Sequence, residues 1–193
     1  MIPALILAAG ESSRMGRDKA LLEFRGKTFL EHIVATLSEA GLERAVVVLG
    51  HHADEIRRAV NLRSVEIVVN QEYRLGQTSS LQAGLRAVDQ DQTDAIVLCL
   101  VDHPAVSAEV VRKLVAAYQQ SSALVVVPIY QGRRGHPVVI SRALFKELLS
   151  LDPQQGANTV IHKYRDAMQS VEVQDPGILI DIDDPQSYRR MTS

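Results

Sequence analysis

Five short aliphatic runs, with Glu66 the one charged residue among them, punctuate the first two thirds of the chain: 4–8, 45–49, 65–69, 95–100 and 124–127. A strand this apolar has no face for water, so it belongs in a sheet covered on both sides. Between the first two runs, Phe29, Ile33, Val34 and Leu37 recur at helical spacing, and Gly41 stands where a C-terminal cap belongs. Residues 52–61 and 79–88 read as further helices. Ser107 stands as the N-cap of a helix through Tyr118 that buries Val110, Val111, Leu114 and Val115. Strand alternating with helix predicts an α/β fold, a doubly wound and mostly parallel sheet with right-handed crossovers. Ligands of such sheets collect beyond the carboxyl ends of the strands. The loops after Leu7, Leu49, Val69, Leu100 and Pro128 are therefore the places to look. Beyond Pro128 the order loosens into short strands, one or two helices, and turns at Gly132–Gly135 and Asp175-Pro176-Gly177. That stretch reads as a β/α elaboration of one domain spanning 193 residues.

Composition excludes several function classes. Hydrophobic residues make up 46% and charged residues 23%, which supports a full core and argues against disorder. Lys+Arg 21 against Asp+Glu 23 leaves a net charge of −2, so no global basic field exists to hold a nucleic acid. The single cysteine, Cys99, excludes an intramolecular disulfide framework and a Cys-rich zinc site, and reads as a small core residue. No apolar run approaches the ~20 residues of a membrane helix. Met1-Ile2-Pro3 lacks a basic leader, so a cytoplasmic protein is expected.

The segment Leu7-Ala8-Ala9-Gly10-Glu11-Ser12-Ser13-Arg14-Met15-Gly16-Arg17-Asp18-Lys19-Ala20-Leu21-Leu22 directly follows the first strand. Its small residues let backbone N–H groups approach an anion, and Arg14, Arg17 and Lys19 would neutralise one. It is neither Gly-x-Gly-x-x-Gly nor a Gly-Lys-Ser/Thr loop. On composition alone, a phosphate cradle and an ordinary βα loop with solvated charges both remain open. Asn70, Gly76, Thr78, Ser79 and Ser80 lie past the third run; a Thr-Ser-Ser stretch serves as a helix N-cap, and a helix start also offers N–H donors. Asp102, before His103-Pro104, reads by itself as a strand-end cap. The turn Gly132-Arg133-Arg134-Gly135-His136-Pro137 reads by itself as a solvated hairpin. Asp181 and Asp183 alternate onto one face of an extended segment after an expected strand, and Asp184-Pro185 starts a helix with an acidic first turn. His51 and His52 have no i,i+4 partner and read as loop residues.

Residues 7–22 resemble the signature loop of the MobA-like nucleotidyltransferases, and are most similar to the molybdopterin cytidylyltransferase branch. The likeness runs from residue 4 to about residue 190. It implies a Rossmann-like nucleotidyltransferase fold, with a nucleotide-binding part to about residue 128 and an acceptor side over about 129–193. Gly10, Ser12, Arg14 and Lys19 are then expected on the phosphates, and Leu7, Ala8 and Ala9 along the base pocket. Asn70, Gly76, Ser79 and Ser80 match the loop that reads base and ribose. Asp102 matches a metal-binding aspartate, with Val101 standing where the family usually has Gly; Asp181 or Asp183 would complete the site, Asp181 being favoured. Gly135-His136-Pro137-Val138 resembles a motif facing the acceptor, so His103, Arg134, Gly135, His136 and, in Gln155-Gly156-Ala157-Asn158, Asn158 are expected there. Arg14, Lys19 and Asp102 would carry the chemistry with Mg²⁺. CTP would be the donor and molybdopterin, a phosphorylated pterin, the acceptor, with transient contact to a molybdenum hydroxylase or its maturation factor. The alternatives are GTP as donor, another phosphorylated metabolite as acceptor, or a non-catalytic factor that binds nucleotide or pterin. Ala8-Ala9-Gly10 favours the cytidylyl branch, and retention of Lys19 and Asp102 favours an enzyme.

Overall fold

The computed structural model describes residues 1–192. In chain order these form β1 (Ala4–Ala8), β2 (Glu23–Phe24), β3 (Lys27–Thr28), α1 (Phe29–Glu39), β4 (Ala45–Leu49), α2 (Ala53–Ala59) and β5 (Glu66–Val69). Next come α3 (Gln77–Val88), β6 (Ala95–Leu100), α4 (Ala108–Gln119), β7 (Val125–Tyr130), β8 (Arg133–Arg134) and β9 (Val138–Ser141). The chain continues through α5 (Phe145–Ser150), α6 (Asn158–Lys163), β10 (Met168–Glu172) and α7 (Pro185–Thr192). The main sheet runs in the order β10-β7-β9-β6-β1-β4-β5, with β8 paired to β7 and β2–β3 a separate hairpin. β1 pairs parallel with β4 and β6, β4 with β5, and β7 with β10. This is the mixed α/β fold with a mostly parallel sheet that the alternation predicts.

Helices cover both faces of the sheet. Alternate residues of β1 divide between two cores: Ala4, Ile6 and Ala8 pack with α1, α2 and α4, while Leu5 and Leu7 pack with α3, α5 and α6. The period-two alternation of side chains makes one strand serve both layers. On α3, Gly84 lies so close to β1 that a Cβ there would collide with Leu5 Cδ1. α1 opens with a reciprocal capping box between Thr28 and Glu31.

The structure departs from the expected elements at identifiable places. β9 inserts between β6 and β7, antiparallel to both, so the stretch beyond Pro128 contributes to the middle of the sheet. α2 is shorter than 52–61 and follows His52, whose φ of +56° places it in the left-handed region. α3 begins two residues earlier than residue 79, where Gly76 (φ +116°) turns the chain. Ser107 precedes α4 as expected but makes no side-chain cap; its own amide donates to Asp175 Oδ2 at 3.0 Å. Before Asp181 there is a 3₁₀ turn, Pro176–Leu179, in place of a strand: Asp175 Oδ1 accepts the Gly177 amide, and Pro176 occupies the first turn.

Candidate active site

A cavity of about 310 Å³ opens at the carboxyl ends of β1 and β6. Leu7 through Gly10, Ser12, Ser13, Arg14, Asp18 and Lys19 line one side; Tyr73, Gly76, Gln77 and Ser80 line another. Leu100, Val101, Asp102 and Asp183 close the remaining wall.

The first loop is held by its own hydrogen bonds. Ser12 sits at φ +50°, its carbonyl accepts the Met15 amide at 2.9 Å, and its Oγ accepts the Lys19 amide at 3.0 Å. Asp18 Oδ1 accepts the Ala20 amide at 2.9 Å, which caps the short 3₁₀ turn carrying Lys19. Met15 anchors the loop in a small core with Leu22, Phe24, Phe29 and Ile182. Fully buried Ile182 also donates its amide to the Asp102 carbonyl at 2.9 Å. Packing of that one side chain brings a segment more than 160 residues away in sequence beside Lys19.

Lys19 Nζ consequently bridges two carboxylates, Asp183 Oδ1 at 2.6 Å and Asp102 Oδ2 at 3.3 Å. Arg14 adds a third contact, Nη2 to Asp183 Oδ2 at 3.3 Å. The hydrogen bond from Lys19 is the main reason the Asp183 carboxyl titrates below the usual carboxylate range. Asp102 Oδ1 is buried with no hydrogen-bond partner among the described residues, and His103 Nε2 stays 3.8 Å away. An anionic oxygen so placed accommodates a hard cation. Two carboxylates are what a magnesium-like ion takes from protein when substrate phosphates and waters complete its shell. Among the described residues, no three His, Cys, Asp or Glu side chains come together as a self-sufficient metal site.

Other expected site residues fall into two groups. Leu7, Ala8, Ala9, Gly10, Ser12, Arg14, Lys19, Gly76, Ser80, Asp102 and Asp183 line the cavity. Asn70 and Ser79 do not: Asn70 is buried and donates to Ser79 Oγ (2.9 Å) and Ser80 Oγ (3.0 Å), while Ser79 Oγ donates to the Glu72 and Gly76 carbonyls. They shape the loop from behind. Asp181 is exposed and lies outside the cavity, contrary to the preference given to it over Asp183. Its charge acts on His103.

His103 and His136 face each other, with ring centroids 5.0 Å apart, and the Nδ1 of each is buried without a partner among the described residues. Burial pushes the His136 imidazole down to about 4, helped by neighbouring His103, and burial also lowers His103. In the ligand-free protein burial therefore favours the neutral His136 imidazole near pH 7. Gly135 is packed under the 3₁₀ turn, where a Cβ would collide with the Ile178 carbonyl. Arg134 is exposed on β8, and Asn158 is exposed at the start of α6. Cys99 is a buried core thiol pushed up to about 12 by desolvation.

Across residues 4–168 the sequence matches the MobA-like NTP transferase domain. The chain belongs to that family. This MobA-like nucleotidyltransferase is 30% identical, over 98% of its own length and 96% of the relative's, to the nicotine blue oxidoreductase of Paenarthrobacter nicotinovorans. It is 28% identical to the molybdenum cofactor cytidylyltransferase of Escherichia coli, over 97% and 93% of the two chains. Among solved structures it matches Rv0371c of Mycobacterium tuberculosis with a TM-score of 0.87 and 30% identity, covering 99% and 96% of the chains. Rv0371c has also been solved in complex with manganese, and that structure superposes with a TM-score of 0.84.

Sequence reasoning missed Tyr73, Gln77, Ser13 and Asp18 as cavity residues of this MobA-like transferase. Asp18 carried a signal: an acid beside the phosphate-loop lysine that turns out to be buried, with its carboxyl raised by that burial. Tyr73 carried one as well, as the aromatic in the loop that leads from Asn70 to α3.

Proposed function

We propose that this chain transfers CMP from CTP to the phosphate of a phosphorylated pterin, molybdopterin, and releases pyrophosphate. The observation that carries the reading is the single lysine amine held between Asp102 and Asp183 in a cavity lined by the Leu7–Gly10 backbone and Arg14. A triphosphate needs such cations, and a base can lie against the small residues. The whole-length likeness to a cytidylyltransferase supports the choice of substrates.

In this reading an acceptor phosphate oxygen attacks the α-phosphorus, the bond to the bridging α–β oxygen breaks, and pyrophosphate departs. A phosphate monoester is already ionised near pH 7, so no protein base is required. Lys19 and Arg14 neutralise the charge that builds on the phosphoryl oxygens. A divalent cation, expected to be Mg²⁺, would be held by Asp102 and Asp183 and would supply further charge neutralisation at the phosphates. The manganese complex of the structural relative supports a divalent ion here. The Ser12 and Asp18 bonds hold Lys19 in place before substrate arrives.

Pyrophosphate release measured with molybdopterin, Mg²⁺ and each of CTP, GTP, ATP and UTP tests the proposal. Release with CTP is expected. Release with GTP would make the chain a guanylyltransferase, and silence with all four while CTP still binds would make it a carrier.

A further inference from the structure

Tyr73 lines the cavity and has close neighbours at its root, at its tip and over its ring, where the Arg74 guanidinium lies 5.7 Å from the centroid. At its root, Tyr73 Cβ sits against the end of β4 so closely that a Cβ built on Gly50 would lie 2.7 Å from it. The same imaginary atom would lie 2.7 Å from the Ala9 carbonyl oxygen and 2.9 Å from the Ala9 methyl. The end of β4 therefore leaves no room for a side chain at position 50 against Ala9 and Tyr73. At its tip, the Tyr73 hydroxyl is hydrogen-bonded to His51 Nδ1 at 3.1 Å. His51 is fixed in turn, since its amide donates to the Ala9 carbonyl at 3.2 Å and its ring lies 3.8 Å from that of His52. Tyr73 lines the cavity together with Ala8, Ala9 and Gln77, and it follows β5, on the side of β1 away from β6 and Asp102.

An aromatic ring on the side of the cleft away from the Lys19–Asp102 pair would meet the nucleobase of a bound nucleotide. A free ring would swing to suit bases of different size, whereas a ring held at root and tip cannot. We propose that Tyr73, braced by His51, is the specificity-determining wall of the nucleotide site and rejects two-ring bases in favour of one-ring bases. The proposal rests on the cytidylyl reading above. Tyr73 touches the base, and His51 is a positioning residue that acts through it.

The test is calorimetric binding of CTP and of GTP, each with Mg²⁺ and without any acceptor, so that acceptor identity does not enter. The wild-type protein is expected to prefer CTP. Tyr73→Ala keeps the Cβ that packs against the end of β4 and removes the ring, and is expected to shrink the CTP:GTP affinity ratio by on the order of tenfold, as loss of a base–aromatic contact does. Tyr73→Phe and His51→Ala keep the ring and cut its tether, and are expected to shrink the ratio by about threefold with melting temperatures close to wild type. These two variants decide the matter if Tyr73→Ala fails to fold. A wild type that prefers CTP, with variants that weaken both nucleotides by one common factor, overturns the wall and leaves the cytidylyl reading standing. A wild type that prefers GTP overturns that reading and the direction of selection with it.

Discussion

Replacing Lys19 by Met removes the charge at the centre of the site while keeping most of the aliphatic stem. Truncating one partner of a fully buried pair costs about 3–5 kcal/mol, and exposed pairs are worth about 0–1 kcal/mol. Lys19 is 13% exposed, Asp102 24% and Asp183 36%, which puts this network between those limits. We expect a loss of about 1–2 kcal/mol of folding stability, or about 2–8 °C in melting temperature for a chain of this size. Turnover is expected to fall about 10²–10³-fold, the usual consequence of losing one preorganised charge at a developing anion. The same substitution has an opposite effect on metal alone. Lys19 occupies both carboxylates in the free protein, so its removal leaves Asp102 and Asp183 facing each other with only Arg14 to offset them. Binding of Mn²⁺ without nucleotide, followed by electron paramagnetic resonance, is expected to tighten by about tenfold, equivalent to about 1.4 kcal/mol. Pyrophosphate release within a few-fold of wild type would refute the assignment of Lys19 to the phosphates. Mn²⁺ binding that weakens or does not change would refute the argument that the lysine competes for the metal carboxylates.

Neutral burial of His136 lowers its pKa from 6.5 to about 4, so between these values the unfolded chain binds the extra proton and stability falls as pH drops; the total is at most about 3 kcal/mol. Chemical denaturation at several pH values is expected to show that slope, and His136→Asn to flatten it. Asn70→Ala breaks a buried network that joins Glu72, Ser79 and Ser80, and is expected to cost about 2–3 kcal/mol in a urea melt while loosening the α3 loop. Gly84→Ala drives a methyl group into Leu5 and Val48 and is expected to lose about 1–3 kcal/mol by the same melt, with no change in nucleotide preference.

Much of this molecule was legible in the order of its residues. An apolar run followed by small residues and cations identifies both a buried parallel strand and the loop beyond it, because burial on two faces and exposure at a strand end are each written locally. Arg14 and Lys19 stand out that way as cations, the family resemblance singles them out together with Gly10 and Ser12, and all four line the cavity. Asp184 at the start of α7 was legible for the same reason: its carboxylate accepts the Gln186 and Ser187 amides, a bond pattern confined to neighbouring residues. Asn70 and Ser79 were harder, because a polar residue near a strand end looks the same whether it faces a ligand or caps a loop. Their hydrogen bonds turn them away from the cavity, and no spacing rule reports that.

Local pattern by itself determined the α/β alternation, the strand ends where a site could form, and the cationic loop, since each depends on which side of a short element meets water. Tertiary structure alone decided that β9 enters the sheet between β6 and β7, that Asp183 and not Asp181 meets Lys19, that His136 is buried neutral, and that Tyr73 is clamped between Gly50 and His51. These are contacts between segments tens to hundreds of residues apart. Which of them form is set by how crossovers stack and how single side chains such as Ile182 fill the core, and that is a property of the packed whole.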